Sequence, residues 1–179
     1  MDTYNINGKF VSAKEANLNI HDLAILRGYG AFDFLRTYNG IPFHLDDHLK
    51  RLKNSARLLG LELEISIKEM EKRVFKTLAK NDHGESNIRI VATGGESNDN
   101  LMPAGNTQVI VMVTPIHNLP KAYYTKGVKV TTSNTERFLP GAKSNNYIPA
   151  ILMLKEAKAQ GAIEAIYTSK SGHLLEGTT

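Results

Sequence analysis

Between Arg137 and Lys155 only one side chain carries charge, Lys143, in the run Phe-Leu-Pro-Gly-Ala-Lys-Ser-Asn-Asn-Tyr-Ile-Pro-Ala-Ile-Leu-Met-Leu. It also stands just before a predicted helix, whose positive dipole end disfavours an ammonium. A lysine with no acid nearby, in partly apolar surroundings, gives up its proton more readily and becomes a nucleophilic amine. Such an amine is what Schiff-base chemistry with a carbonyl-bearing cofactor requires. The ordinary alternative is a lysine facing solvent. Two arginines are also unusually set. Arg89 interrupts Ile88-Arg89-Ile90-Val91, where strand alternation puts it opposite the two isoleucines, and Arg27 opens Gly28-Tyr29-Gly30. Each suits a substrate carboxylate or, equally, a structural salt bridge.

Other chemistries find no motif. There is no G-x-x-x-x-G-K-[ST], no G-x-G-x-x-G and no G-x-S-x-G. Zero cysteines remove disulfides, thiolate metal sites and cysteine nucleophiles together. His44 and His48 have helix-like spacing, but His44 falls at a strand end and no third metal ligand accompanies them. The chain has 179 residues, 22 Lys+Arg against 18 Asp+Glu and a net charge of +4, with 41% hydrophobic residues, an ordinary globular balance. Its basic residues are interleaved with acids, and the densest cluster, Lys50, Arg51, Lys53 and Arg57, reads as a solvated helix face, so no nucleic-acid partner is expected. The longest strictly apolar stretches, Val109–Val113 and Ala150–Leu154, are five residues, far short of the ~20 of a membrane span. Met1-Asp2-Thr3-Tyr4-Asn5 has no basic region followed by an apolar one, and a cytoplasmic location is expected.

The elements that must position these residues follow from turns and periodicity. Asn7-Gly8 lies between Tyr4–Ile6 and Lys9–Val11, and Asn39-Gly40 between Ala31–Tyr38 and Ile41–His44. Both read as antiparallel hairpins. Leu45, Leu49, Leu52, Ala56 and Leu59 predict an amphipathic helix over Asp46–Leu59 closed by Gly60. Ser66 and Glu69 form a capping box ahead of the stripe Ile67, Met70, Val74 and Leu78, a helix to about Lys80. Ser86–Thr93 and Thr107–Thr114 read as strands around a turn-rich loop, Gly94–Asn106. His117–Lys126 reads as a connector. Val128–Thr132 is a strand, Asn134–Asn145 irregular, and a helix runs from Asn146 to Gln160 with Pro149 in its first turn. Glu164–Thr168 and His173–Leu175 pair across Ser171-Gly172. A strand running straight into Glu176-Gly177-Thr178-Thr179 predicts a chain incomplete relative to its fold.

The stretch Ala142-Lys143-Ser144-Asn145-Asn146-Tyr147, followed by a helix, a Gly-Ala pair, a strand and Leu175-Glu176-Gly177, resembles the fold-type IV pyridoxal-phosphate enzymes. That family holds branched-chain and D-amino-acid aminotransferases and aminodeoxychorismate lyases. The N-terminal half is similar too: Arg27-Gly28-Tyr29-Gly30-Ala31-Phe32-Asp33-Phe34-Leu35-Arg36, a hairpin, then His48-Leu49-Lys50-Arg51-Leu52 with Ser55-Ala56. The resemblance runs in order along essentially the whole chain.

It implies an α+β fold of two domains. An N-terminal α+β sandwich spans residues 1–118, a connector 119–126, and residues 127–179 are the first part of a barrel-like, truncated C-terminal cofactor-binding domain. It implies that Lys143 condenses with the aldehyde of pyridoxal 5'-phosphate and carries the proton of the reaction. Glu176 faces the pyridine nitrogen and keeps it protonated, and Arg51 grips the phosphate with a planar fork. Tyr147 contacts the cofactor, and Thr178 and Thr179 begin a hydroxyl-bearing segment near it. From the residues alone, Arg51 reads as a solvated helix arginine, Glu176 as a strand-end charge and the two threonines as a frayed end, while Tyr147 is equally a core aromatic. Arg36 corresponds to an active-site arginine of the branched-chain subgroup, but Asp33-Phe34 stands where that subgroup carries Glu-Gly. Phe32 stands where many D-amino-acid enzymes have Tyr. Arg27, Arg36, Arg89 and Phe32 are the expected substrate contacts. The resemblance thus implies a homodimeric aminotransferase moving an amino group between an α-amino acid, D or branched-chain, and a 2-oxo acid. A lyase eliminating pyruvate, or an inactive fragment of such an enzyme, is the alternative.

Overall fold

The computed structural model describes residues 1–179, which form a mixed α+β molecule with two sheets, divided into two compact units. The first holds Met1–Ile116 together with Gly141–Asn145. Its elements are β1 (Thr3–Ile6), β2 (Lys9–Ser12), α1 (Leu23–Arg27), β3 (Gly30–Tyr38), β4 (Ile41–Pro42), α2 (Leu45–Leu59), α3 (Ile67–Leu78), β5 (Ser86–Thr93) and β6 (Val109–Pro115). The strands make one six-stranded sheet in the order β2-β1-β6-β5-β3-β4, with every pairing antiparallel.

The local causes are those of the sequence. At both hairpins Asn and Gly take positive φ, 51° and 89° at Asn7 and Gly8, 52° and 73° at Asn39 and Gly40, the left-handed pair a two-residue turn needs. On α2 the stripe Leu45, Leu49, Leu52 and Ala56 is buried; on α3 it is Met70 and Val74. These side chains join Leu35, Ile88, Ile90, Val111 and Val113 of the sheet in one core. The Ser66 hydroxyl caps α3 by accepting the Glu69 N–H at 3.1 Å, while the Glu69 carboxylate accepts from Arg73 Nε at 3.3 Å. Helix α1 is an addition to the sequence reading, which had only a turn opened by Arg27. Asp22 caps it, accepting the Ala24 N–H at 2.7 Å, and Gly28 ends it in the left-handed region. Five residues are too short to show a periodicity, although both caps are visible in the sequence.

The second unit holds His117–Pro140 and Asn146–Thr179. It contains α4 (Lys121–Lys126), β7 (Val130–Ser133), α5 (Ile148–Ala159), β8 (Glu164–Thr168) and β9 (Leu174–Gly177). Strands β7 and β8 run parallel, joined through α5, and β9 adds antiparallel to β8. Its core is small: Ala150, Met153 and Ala157 of α5 against Ala162, Ala165 and Tyr167. Three differences from the sequence reading stand out. Lys121–Lys126 is a helical turn that follows Pro120, β7 begins at Val130 instead of Val128, and α5 begins at Ile148 instead of Asn146. The last follows from Pro149, which sits best in a first turn where its missing N–H has no partner to lose. No helix is long and apolar enough to cross a membrane.

Leu52 is fully buried at the centre of the first unit's core, so Leu52→Ala is expected to destabilise that unit by about 2–5 kcal/mol in denaturant unfolding. Ile41, 67% exposed, is the control, with Ile41→Ala changing stability by no more than about 0.5 kcal/mol.

Candidate active site

Strand β3 is the scaffold of the first unit's site. Residues 143–145 run antiparallel along its edge, through the Ala31–Ser144 bridge. The Phe32 N–H donates to the Lys143 carbonyl at 3.0 Å, and the Asn145 N–H donates to the Gly30 carbonyl at 2.9 Å. From α2, the Ser55 hydroxyl accepts the Lys143 N–H at 3.0 Å. Gly30 permits this approach, because a Cβ there would lie 2.5 Å from Asn145 Nδ2 and 2.8 Å from the Ala92 carbonyl oxygen. The main chain of Lys143 is therefore fixed from β3 and α2 together, and its Nζ lies 4.7 Å from the centroid of the Phe32 ring. With α5 starting only at Ile148, Lys143 is not at the first turn of that helix. The dipole argument of the sequence reading therefore does not apply, since macrodipole effects fall off within the first turn.

Arg51 lies on α2 and reaches Asp33 on β3. Its Nε donates to Asp33 Oδ2 and its Nη2 to Oδ1, both at 2.8 Å, a two-point fork. His48, one turn earlier, places Nδ1 2.7 Å from the same Oδ1. Asp33 is entirely buried, whereas the Arg51 side chain is 51% exposed. Arg51 is therefore an anchored group, not the solvated arginine its helix face suggested. His44 turns elsewhere, to Asp47 at 2.9 Å.

Along the same strand the other cations lie over rings. The Arg89 guanidinium is 5.0 Å from the Phe32 centroid and 5.1 Å from that of Phe34, and Arg36 is 4.6 Å from Tyr38. Lys143 and Arg89 thus share Phe32, whereas Arg36 sits further along β3. The salt bridge weighed for Arg89 does not form; its contacts are aromatic. Arg27 ends α1 exposed, with Nη1 on the Leu26 carbonyl, and shares none of these contacts.

In the second unit, Glu176 lies on β9, and its Oε1 accepts from Arg137 Nε at 2.6 Å. Arg137 is itself steadied by the Pro140 carbonyl at 2.9 Å. The hydroxyls of Thr178 and Thr179 both donate to the Glu164 carboxylate. Thr178 is almost fully buried, so the frayed end allowed by the sequence does not apply to it. Burial raises the Glu164 carboxyl, but the two hydroxyls and the backbone N–H groups of Ala165 and Thr178 outweigh it and hold the group below its ordinary value. Tyr147 precedes α5 and packs against the small core, in keeping with the core-aromatic alternative.

Four residues that the sequence reading gave no role stand out. Asp33 and His48 anchor Arg51, Arg137 anchors Glu176, and Glu164 anchors the threonines. An acid inside a strand whose neighbours are apolar was the available signal for Asp33, and His48-x-x-Arg51 spacing for its partners.

The family model for amino-transferase class IV matches residues 30–179. The chain is 31% identical over 180 residues to a provisionally named branched-chain-amino-acid aminotransferase of Methanocaldococcus jannaschii, covering 97% of this chain and 62% of that protein. It is 30% identical over 176 residues to a D-alanine aminotransferase of Bacillus licheniformis, again covering 97% of this chain and 62% of the relative. Among solved structures, the T.th. branched-chain amino acid aminotransferase with pyridoxamine 5'-phosphate superposes with a TM-score of 0.88 at 30% identity, over 99% of this chain and 62% of that one. The chain thus spans less than two thirds of the length of these relatives.

Two outcomes follow from the geometry. Gly30→Ala forces the Asn145 side chain aside and presses on the fixed Ala92 carbonyl, so it is expected to destabilise the first unit by about 1–3 kcal/mol, read as a lower denaturant midpoint. Glu164, held below its unfolded-state value, contributes stability that is present above about pH 4.3 and is lost as pH falls through its folded value. Glu164→Gln is therefore expected to unfold earlier than the parent at pH 7, with the two denaturation midpoints converging at acid pH.

Proposed function

The chain belongs to the class IV amino-transferases, and from that premise we propose that it is a pyridoxal-phosphate-dependent aminotransferase, moving an amino group between an α-amino acid and a 2-oxo acid. The observation that carries this reading is the pinning of the Lys143 backbone to β3 and α2, the elements that also bear Asp33 and Arg51. The donor set fits the cofactor: an amine for an aldehyde, a half-exposed guanidinium for a phosphate ester, and a carboxylate for a pyridine nitrogen. When bound, pyridoxal phosphate supplies an electrophilic carbon and an electron sink that stabilises charge at the substrate Cα.

In this reading each side chain has one task. Lys143 gives its amine as nucleophile and afterwards holds the transferred proton at Nζ. Arg51 would bind the phosphate oxygens through guanidinium N–H groups outside the Nε–Nη2 edge that Asp33 holds. Glu176, held by Arg137, keeps a proton on the ring nitrogen, and Tyr147, Thr178 and Thr179 line the same cofactor site. Arg89 and Arg36, flanked by Phe32 and Tyr38, draw the substrate carboxylate, with Arg27 a further contact. The second unit is the first part of a barrel-like cofactor-binding domain, and the working form is a homodimer.

Relatives name the substrate range. One is a D-alanine aminotransferase, and a structure of the Thermoproteus uzoniensis branched-chain aminotransferase, 26% identical with a TM-score of 0.88 over 99% of this chain and 63% of that one, was solved with norvaline. A small α-amino acid with an apolar side chain, D or branched-chain, is the substrate this supports. Both named relatives transfer amino groups, which favours transamination over elimination of pyruvate.

The test is direct. The purified chain mixed with pyridoxal phosphate is expected to develop visible absorbance, and borohydride reduction to leave a pyridoxyl adduct on Lys143 by mass spectrometry. Lys143→Ala loses the adduct and drops transamination by on the order of 10²–10⁴-fold. D-alanine and the branched-chain L-amino acids are then compared with a keto-acid acceptor. An adduct elsewhere, or turnover with neither class, overturns the reading.

A further inference from the structure

We infer that Asp33 and His48 are positioning residues, a buried anchor that fixes the plane of the Arg51 guanidinium in advance for a phosphate monoester. The inference rests on the proposed function, in which Arg51 receives the cofactor phosphate. A carboxylate with no exposure is costly unless it is paired and hydrogen-bonded. At Asp33 both oxygens are engaged: Oδ1 accepts the Phe34 N–H at 2.7 Å, His48 Nδ1 at 2.7 Å and Arg51 Nη2 at 2.8 Å, while Oδ2 accepts Arg51 Nε at 2.8 Å.

The pair is strongly asymmetric. Its acid is sealed in the sheet, and its base lies half in solvent, with a side-chain exposure of 51% against 0%. Buried ion pairs of this kind add little net stability over apolar replacements, so orientation is the property that distinguishes this one. Asp33 takes the Nε–Nη2 edge of a planar group, which settles both where the guanidinium sits and which way its plane faces.

His48 completes the device. A carboxylate only accepts, so His48 must carry its proton on Nδ1, the tautomer that makes it a donor. Its Nδ1 and Arg51 Nη2, 3.3 Å apart, both donate to Asp33 Oδ1, so His48 fixes the carboxylate that in turn fixes Arg51. A long flexible side chain that has already lost its rotamer freedom binds an oxyanion without losing it at that moment.

The experiment titrates the 179-residue chain with pyridoxal 5'-phosphate and with pyridoxal, reading absorbance, so that the ratio of the two dissociation constants isolates the phosphate. Arg51→Lys is expected to lower that preference. Asp33→Asn is expected to lower it by about tenfold, and the double variant to be no worse than Arg51→Lys alone, because both act through one group. Asp33→Glu restores less than the full preference, since its longer arm displaces the fork. If Arg51→Lys leaves the preference unchanged, the phosphate role of Arg51 fails and the inference with it. If Arg51→Lys lowers it and Asp33→Asn does not, or weakens both ligands equally, the inference alone is overturned. Should Asp33→Asn not fold, His48→Ala is read the same way: a lowered preference supports the device and an unchanged one overturns it. A parent chain that binds neither ligand overturns both.

Discussion

Strand β3 has to satisfy backbone donors and acceptors on both edges, and most of the molecule's chemistry is a consequence of how it does so. One edge is taken by β5 along Gly30–Arg36. On the other, β4 covers only Thr37 and Tyr38, which leaves the Gly30–Phe32 end for residues 143–145. Those bonds bring the backbone of a lysine beside Phe32, one residue from the carboxylate that holds Arg51. A slip of β3 by one residue against β5 would turn Asp33 outward and Phe32 inward, because side chains alternate along a strand. The register thus fixes the two candidate cofactor groups of the first unit together.

Charge on this surface is managed by rings and by one buried acid. Arg89, Arg36 and Lys143 all approach aromatic faces, which attract a cation without neutralising it. Arg51 is treated the opposite way, paired through one edge of its guanidinium to a sealed anion.

Much of the first unit was legible in the sequence, since its determinants are local. Asn-Gly turns, the Leu45-to-Ala56 stripe and Ser66 ahead of α3 each lie within a few residues of what they control. The short helix α1 and the late start of α5 escaped because one or two turns leave no period to detect. At the site, Lys143 was visible as a lone charge, and Arg51 and Glu176 through the family motifs. Their partners were not. Ser55 meets Lys143 across 88 positions of sequence, and Arg137 meets Glu176 across 39, pairings that arise only when strands and helices pack. Arg89 was placed on the correct face by alternation, but the rings beneath it come from a neighbouring strand.

The first unit is also discontinuous along the chain: Met1–Ile116 must wait for Gly141–Asn145. During vectorial synthesis the sheet and the helices of Met1–Ile116 precede the segment that pairs with the Gly30–Phe32 rim. Emergence of the later segment closes that rim and places the Lys143 backbone there in the same act. Completion of the sheet edge and placement of Lys143 are thereby one event.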